Sequence, residues 1–328
     1  MPRVLVTSLN GELGPHISLL PEHGFEVEVV DRKLNLADEN SLIEATKGFQ
    51  AVIAGSERWT ARVLEALPEL RVIARSGVGF DAVDTAACDR LGIVVATTPG
   101  VNHHAVAEHT IAMLMGIARG FPWNDMWVRR GHWDRVGGPR VMGRTIGLVG
   151  LGRIGQATAT RAAGLGMKVI AFEPYPDENF IVKWGIELVD LDTLFSTADY
   201  VSLHCPASAE NRHLINAARL KQMKNDAVLI NTARGALVDE KALIDALQNK
   251  QIRAAGLDVF EVEPLPLDSP LIGMENVLLS GHIAGLDHES HDDTFTLGSE
   301  IIISLHKGEW PAHCIQNLKG VSDWKWER

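Results

Sequence analysis

Short apolar runs alternate with longer stretches of mixed polarity along the chain. The runs are rich in Val and Ile and end in Gly, Asp or Ser, which predicts β-strands, while the longer stretches carry the apolar spacing of helices. The first series comprises RVLVTS (3–8), FEVEVVD (25–31), AVIAGS (51–56), LRVIARSG (70–77) and GIVVATT (92–98). This alternation predicts a small α/β unit with a largely parallel sheet.

A second series of strands begins after a long predicted helix. Residues 98–120 have helical spacing, and Gly120 with Pro122 ends the helix, whereas residues 121–143 show no clear period and predict a loop or arm. The later runs are TIGLVG (145–150), KVIAFE (168–173), YVSLHCP (200–206), AVLINTA (227–233), AAGLDV (254–259) and NVLLSGH (276–282). A final helix over residues 285–307 is expected to return to the first unit. The chain should therefore cross between two domains near residues 100 and 290, with a ligand cleft between them.

Length and composition narrow the class of protein. A chain of 328 residues favours two domains over a single core. The formal net charge of −11 disfavours a nucleic acid or an anionic membrane as the main partner. Three scattered cysteines match neither a disulfide framework nor a metal site, and they fit a reducing cytoplasm. No secretory signal or membrane-spanning stretch is apparent, so a cytoplasmic location is expected.

The most specific motif is a glycine-rich turn, Gly150-Leu-Gly152-Arg-Ile-Gly155, after the first strand of the second series. Gly150 is expected to permit the tight turn, Gly152 to let a pyrophosphate approach the backbone, and Gly155 to let the helix pack on the strand. The N-terminus of that helix would hold the phosphates. Glu173 closes the next strand, where a carboxylate accepts hydrogen bonds from ribose hydroxyls and repels a 2′-phosphate. The motif predicts a dinucleotide site that prefers NAD to NADP.

The segment LINTARGALVDE (229–240) places an arginine, Arg234, shortly after a buried apolar strand. Arginine is almost never fully buried without a partner. Either Arg234 reaches solvent, or a negative group meets it at the end of the strand.

The chain resembles the D-isomer-specific 2-hydroxyacid dehydrogenase family over essentially its full length. The resembling stretches, in the family's order, are SGVGFDAVD (76–84), TIGLVGLGRIG (145–155), ADYVSLHCP (198–206), LINTARGALVD (229–239), GLDVFEVEP (256–264) and GHIAG (281–285). The resemblance implies a two-domain α/β fold, in which a Rossmann-like NAD-binding domain (residues 102–287) is inserted in a smaller flavodoxin-like α/β substrate domain (residues 1–101 and 288–328). It also implies a homodimer. Within the family the chain is most similar to the phosphoglycerate dehydrogenase and hydroxypyruvate/glyoxylate reductase branches.

Matched residue by residue, the family's catalytic Arg, Glu and His fall on Arg234, Glu263 and His282. Their chemistry suits the reduction of a 2-oxo acid to a D-2-hydroxy acid. A guanidinium binds a carboxylate with two parallel hydrogen bonds, and a histidine exchanges a proton near neutral pH. Glu263 would fix the imidazole tautomer and favour its protonated form. Without the resemblance, a surface histidine and a solvated loop acid would be the simpler interpretations of His282 and Glu263.

The cofactor-binding residues follow from the glycine motif and from the resemblance. The set is Gly150, Gly152, Arg153, Ile154, Gly155, Glu173, His204, Cys205, Pro206, Thr232, Ala233 and Asp258. The resemblance places the last three at the nicotinamide and residues 204–206 at the adenine side. No metal ligand is expected.

The substrate-binding residues implied by the resemblance are Arg75, Val78 and Gly79. The loop SGVGF (76–80) offers consecutive backbone N–H groups, which suit a carboxylate. Phosphoglycerate dehydrogenases often place an Arg near the substrate phosphate at the position of Arg75. Gly55 stands where that branch would have a second Arg, so either Arg58 substitutes for it or the substrate carries no phosphate.

The alternative to an enzyme is an NAD(H)-sensing scaffold of the kind represented by the C-terminal-binding protein corepressors, which share the fold and the catalytic residues. The acidic charge disfavours it. Formate dehydrogenase is disfavoured because that branch carries Gln at the position of Glu263. Phosphite oxidation uses the same Arg, Glu and His and stays open.

Overall fold

The computed structural model describes residues 1–8, 10–321 and 323–327. The chain forms two compact units: unit 1 comprises Met1–Asn102 and Asp287–Arg328, and unit 2 comprises His103–Leu286. The boundaries expected from the sequence each differ from these by a single residue. Both units are built on parallel sheets, so the predicted α/β fold class is confirmed.

Unit 1 contains a five-stranded sheet in the order β2-β1-β3-β4-β5. The strands are β1 (Arg3–Val6), β2 (Glu26–Val29), β3 (Ala51–Ala54), β4 (Val72–Arg75) and β5 (Val94–Ala96). The helices are α1 (His16–Glu22), α2 (Glu39–Thr46), α3 (Ala61–Glu65), α4 (Thr85–Leu91) and α12 (His288–His306). Side chains of α1 and α12 pack on one face of the sheet and those of α2, α3 and α4 on the other. Burial on both faces explains why β3 is apolar at every position.

Unit 2 contains a seven-stranded sheet in the order β12-β11-β10-β9-β6-β7-β8. The strands are β6 (Thr145–Val149), β7 (Lys168–Phe172), β8 (Glu187–Leu188), β9 (Tyr200–Leu203), β10 (Val228–Asn231), β11 (Ala254–Leu257) and β12 (Val277–Leu279). The α-helices are α5 (His103–Arg119), α6 (Phe121–Arg129), α7 (Arg153–Gly164), α8 (Glu178–Trp184), α9 (Leu191–Thr197), α10 (Ala217–Gln222) and α11 (Glu240–Gln248), and two short 3₁₀ helices span Gly235–Leu237 and Pro270–Gly273. Helices α5 and α7 pack on one face, and α9, α10 and α11 pack on the other.

The structure differs from the elements predicted from the sequence in three places. Residues 121–129, predicted as part of a loop, form helix α6, because Pro122 lies in its first turn, where the missing N–H group has no helical partner to lose. Strand β8 was not predicted, since its two residues are exposed and carry no apolar run. The last helix begins at His288 rather than at residue 285, because the side chain of Asp287 accepts a hydrogen bond from Ser290 N and caps it there.

Among the described residues, no helix has both the length and the apolar character that crossing a membrane requires.

Candidate active site

Two glycines of the turn after β6 are required by close backbone approach. Gly150 has a φ of +102°, and a Cβ there would lie 2.8 Å from the backbone of His204, which follows β9. A Cβ at Gly155 would lie 2.2 Å from the carbonyl oxygen of Gly150. Any side chain at either position would force the turn away from the neighbouring strand or from α7.

The third glycine of the turn faces open space. Gly152 precedes α7 as its N-cap without a side-chain cap, and a Cβ there would meet no atom within 4 Å. The first N–H groups of α7, which Arg153 and Ile154 help to supply, have no acceptor within the helix, and no side chain at Gly152 covers them. Such a helix N-terminus suits the phosphates of a dinucleotide, so these residues fit NAD.

Glu173 lies beside the same turn. Its Oε2 accepts a hydrogen bond from Leu151 N at 2.7 Å, and its Oε1 accepts one from Tyr175 N at 3.0 Å. The two backbone donors fix the carboxylate at the carboxyl end of β7, next to the glycine-rich turn. The acid and the turn, which the sequence predicted to act together, are therefore neighbours in the structure.

The residues that follow β9 are uncharged near neutral pH. Burial lowers the pKa of His204 to about 4. Burial, with the nearby charge of Glu173, raises the pKa of the Cys205 thiol to about 11. A protonated thiol is a poor nucleophile, which agrees with a cofactor-lining role for Cys205. Pro206, the next residue, is exposed.

Arg234 follows β10 in a loop that is held by a buried amide. Asn231 Oδ1 accepts a hydrogen bond from Ala233 N at 3.0 Å, and Asn231 Nδ2 donates one to the carbonyl oxygen of Arg234 at 2.8 Å. Residue 235 must be glycine, because a Cβ there would lie 1.9 Å from the backbone of Phe260. The segment after β11 therefore packs directly against the loop that carries Arg234.

Glu263 and His282 form a hydrogen-bonded pair. His282 Nδ1 lies 2.7 Å from Glu263 Oε2, and Phe260 N donates to Glu263 Oε1 at 3.0 Å. Burial acts to raise the pKa of Glu263, but the hydrogen bonds from His282 and Phe260, with the charges of His282 and Arg234, lower it overall. The pair's contribution to stability is therefore present above the ordinary carboxyl pKa and is lost as the pH falls through the lowered value.

The pairing also determines which nitrogen of His282 can react. Since Nδ1 faces Glu263, Nε2 is the atom left to exchange a proton with an external partner. The His282 side chain is 44% exposed, so an external partner can reach it.

Asp258 holds the loop that carries His282. It is fully buried after β11, and its carboxylate accepts hydrogen bonds from the Ser280 hydroxyl, from Ile283 N at 3.0 Å and from Ala284 N at 2.9 Å. His282 N donates to the carbonyl oxygen of Asp258 at 2.7 Å. His282 has a φ of +57°, a conformation that non-glycine residues rarely adopt. Such strain persists only where surrounding contacts enforce it, and it is frequent at functional sites.

In unit 1, the loop after β4 presents two adjacent backbone donors. Arg75 Nε donates to the carbonyl oxygen of Gly79 at 3.1 Å, and Gly77, with a φ of +133°, donates its N–H to Thr98 Oγ1 at 2.8 Å. Within the described part of the chain, the N–H groups of Val78 and Gly79 donate to no acceptor. Neighbouring N–H groups of this kind can bind a carboxylate.

Comparison with known proteins places this arrangement in a family. The family model described as "D-isomer specific 2-hydroxyacid dehydrogenase, NAD binding domain" matches residues 111–284. A glyoxylate reductase of Korarchaeum cryptofilum is 39% identical over 96% of this chain and 96% of its own length. The chain belongs to the D-isomer specific 2-hydroxyacid dehydrogenase family.

Two further relatives of this dehydrogenase differ in extent. A D-3-phosphoglycerate dehydrogenase of Archaeoglobus fulgidus is 36% identical over 93% of this chain, which spans 58% of that relative. The apo structure of D-lactate dehydrogenase from Escherichia coli superimposes with a TM-score of 0.82 at 35% identity, covering 94% of this chain and 98% of that one. The protein is thus an NAD-dependent D-2-hydroxyacid dehydrogenase.

The dehydrogenase carries its predicted site residues in two groups. Those of unit 2 follow the carboxyl ends of β6, β7, β9, β10, β11 and β12, where parallel α/β sheets bind ligands: Gly150, Gly152, Arg153, Ile154, Gly155, Glu173, His204, Cys205, Pro206, Thr232, Ala233, Arg234, Asp258, Glu263 and His282. Arg75, Val78 and Gly79 lie at or after the end of β4 in unit 1. Their individual roles stay predictions. In the described residues, no group of three or more His, Cys, Asp or Glu side chains is placed to hold a metal ion.

Sequence reasoning missed several residues that position the site. Asn231 holds the Arg234 loop through its two hydrogen bonds. On α5, His109 Nε2 lies 2.9 Å from Ser280 Oγ and 3.7 Å from Asp258 Oδ1. In unit 2, Thr110 Oγ1 lies 2.9 Å from Thr232 Oγ1. The only sequence signal was a polar residue at the end of an apolar strand, as with Asn231, or directly after one, as with Ser280.

Proposed function

We propose that the enzyme interconverts small 2-oxo acids of the hydroxypyruvate, glyoxylate or 3-phosphohydroxypyruvate class and the corresponding D-2-hydroxy acids, with Arg234, Glu263 and His282 as its catalytic residues. The observation that carries this proposal is the 2.7 Å pair of His282 and Glu263 in a unit where Arg234 acts on the same carboxylate. The named activities of the relatives, glyoxylate reductase and D-3-phosphoglycerate dehydrogenase, support this substrate class.

Each residue has one task in reduction. Arg234 binds the substrate carboxylate and orients the neighbouring carbonyl. His282 Nε2 donates a proton to the carbonyl oxygen as the carbonyl carbon accepts a hydride, and Glu263 stabilises the imidazolium before the transfer. The bound dinucleotide supplies that hydride. In oxidation, neutral His282 accepts the hydroxyl proton instead.

The remaining residues bind and position. The first turn of α7 with Gly152 is proposed to hold the cofactor phosphates, and Glu173 to accept hydrogen bonds from its ribose. Thr232, Ala233 and Asp258 are proposed to lie at the nicotinamide; since the carboxylate of Asp258 already binds the loop that carries His282, that residue would also position the proton donor. In unit 1, the N–H groups of Val78 and Gly79 are proposed to bind the substrate carboxylate, with Arg75 supporting their loop.

Steady-state kinetics with glyoxylate, hydroxypyruvate, pyruvate and 3-phosphohydroxypyruvate, each with NADH and with NADPH, test this function. We expect turnover of at least one of these acids, with kcat/KM in the range of ordinary enzymes, roughly 10⁴ M⁻¹s⁻¹ or above. An NAD(H)-sensing scaffold would bind NADH and turn over none of them. Binding without turnover across the whole panel would therefore overturn the proposal.

We also propose that the enzyme forms a homodimer through an arm made of α6 and residues 130–142. No residue of helix α6 is fully buried within the chain, although Trp123 packs partly against the core of unit 2. Phe121 is 66% exposed and Trp133 is 80% exposed, and aromatic side chains of this kind are enriched in interfaces. Light scattering at micromolar concentration should give the mass of two chains, and a single-chain mass would contradict the dimer.

A further inference from the structure

The sheet of unit 1 has a topological switch point between β1 and β3. The strand order β2-β1-β3-β4-β5 reverses direction at β1. The chain passes from β1 to α1 on one face of the sheet and from β3 to α3 on the other. The loops after these two strands therefore diverge at the carboxyl edge, and open α/β sheets bind their ligands in the crevice that results.

A carboxylate occupies this switch point. Glu57 Oε1 accepts a hydrogen bond from Gly55 N at 3.0 Å and another from the Thr7 hydroxyl. A Cβ at Gly55 would lie 2.9 Å from Glu57 Oε2 and 3.2 Å from Ser8 Cα, so the missing side chain leaves room for the carboxylate. Donors from the ends of both β1 and β3 thus fix a half-buried Glu57 in the crevice.

A residue close to this crevice, Ser8, contacts the loop proposed to bind the substrate. Ser8, at the end of β1, places its Oγ 2.8 Å from the Oγ of Ser76, and Ser76 begins the loop that contains Val78 and Gly79. Gly55 lies beside both Ser8 and Glu57, and the remaining substituent of a substrate held at those N–H groups is proposed to lie on the Glu57 side of the loop.

Two of the three arginines near this edge donate hydrogen bonds to other protein groups. Arg32 donates to the carbonyl oxygen of Ser8 at 2.9 Å, but its Nε is paired with Glu12 at 2.6 Å, which balances its charge. Arg75 donates to the carbonyl oxygen of Gly79 and so supports the loop. Arg58, which the sequence offered as a substitute phosphate ligand, is exposed.

We propose that Glu57 is a specificity-determining residue that selects against substrates with an anionic distal group. The preferred substrate is then an uncharged small 2-oxo acid, such as glyoxylate or hydroxypyruvate, rather than the phosphorylated 3-phosphohydroxypyruvate. The reason is like-charge repulsion at short range on a partly desolvated edge, which discriminates without any new attractive contact. This inference rests on the proposed function.

The test compares hydroxypyruvate with 3-phosphohydroxypyruvate, since the two differ only in the phosphoryl group. In the unmodified enzyme, kcat/KM should favour hydroxypyruvate by on the order of 100-fold, because the phosphate carries nearly two negative charges. Glu57→Gln keeps the size of the side chain and an oxygen that can accept from Gly55 and Thr7. It should raise kcat/KM for the phosphorylated acid by roughly tenfold or more and change kcat/KM for hydroxypyruvate by less than about threefold.

Glu44→Gln is the matched control. Glu44 lies on α2 of the same unit, and its side chain is 72% exposed beside Lys47. This variant removes the same charge from the surface and should leave the ratio of the two substrates unchanged. Equal use of the two substrates by the unmodified enzyme, or an unchanged ratio in Glu57→Gln, would overturn the inference alone. Absence of turnover with every 2-oxo acid would overturn the proposed function and this inference with it.

Discussion

The carboxyl edges of the two sheets share a topology and differ in charge. In both units the strand order reverses at a switch point, and loops diverge there to opposite faces. In unit 2 the switch point lies between β6 and β9, and the glycine-rich turn presents the uncapped N-terminus of α7. In unit 1 it lies between β1 and β3, and the carboxylate of Glu57 is fixed there. The edge of unit 2 fits the cofactor phosphates that we propose it binds, and the edge of unit 1 carries the acid that we propose disfavours a phosphorylated substrate.

The difference shows that topology selects the place of a ligand site and a few loop residues select its chemistry. Gly152 has no side chain and leaves open space before a helix N-terminus, which attracts an anion. Gly55 also has no side chain, but here the space is taken by a neighbouring acid. Glycines in loops beside the two switch points therefore have opposite electrostatic surroundings.

The largest expected effect is a loss of kcat without a loss of NADH binding when His282 is replaced. His282→Ala removes the proton donor, so kcat for reduction should fall by roughly 10²–10⁴-fold. The glycine turn and Glu173 are untouched, and the Kd for NADH should change by less than about threefold. His23→Ala, at an exposed histidine of unit 1, is the control and should retain full kcat. A loss of NADH binding that matches the loss of kcat would show that His282 maintains the structure of this edge and is not the proton donor.

A tenfold effect is expected on the preference for NADH over NADPH when Glu173 is replaced. Glu173→Ala removes the carboxylate that repels a 2′-phosphate, so the ratio of kcat/KM with NADH to that with NADPH should fall by roughly tenfold or more. Glu178→Ala removes an acid from the first turn of α8 and should leave the ratio unchanged. Equal use of the two cofactors by the unmodified enzyme would contradict the role of Glu173.

The smallest expected effect is a shift in pH dependence. The lowered pKa of Glu263 keeps its charge beside His282 through the neutral range. Glu263→Gln keeps the shape of the side chain but withdraws that charge from the proposed proton donor. The alkaline limb of the reduction profile and the acidic limb of the oxidation profile should then both move to lower pH, by about one unit. Profiles that stay in place would show that another group partners the histidine.

The sequence located most of the fold because parallel strands buried on both faces are continuous apolar runs, as in β3 and β10. It missed β8, whose two residues are exposed, and α6, none of whose residues is fully buried. The candidate site was predictable where a motif is local, as at Gly150 to Gly155. It was not predictable where a hydrogen bond joins distant residues, as between His109 and Ser280, which are 171 positions apart.

The position of Glu57 could not be predicted from the sequence for a related reason. Sequence comparison drew attention to Gly55 as a position that lacks an expected arginine. Only the structure shows that Glu57 folds back on Gly55 N and Thr7, so that the position has an acid beside it instead of a base.

Competitive inhibition of the unmodified enzyme by D-glycerate and by 3-phosphoglycerate, with hydroxypyruvate as the varied substrate, tests the opposed charges of the two edges most directly. The two inhibitors differ only in the phosphoryl group, and neither requires turnover. The inhibition constant of 3-phosphoglycerate should be higher than that of D-glycerate by at least about tenfold, and the gap should narrow as salt screens the repulsion. An inhibition constant for 3-phosphoglycerate equal to or lower than that for D-glycerate would contradict the account, because the edge of unit 1 would then accept a phosphate, as the edge of unit 2 is proposed to do.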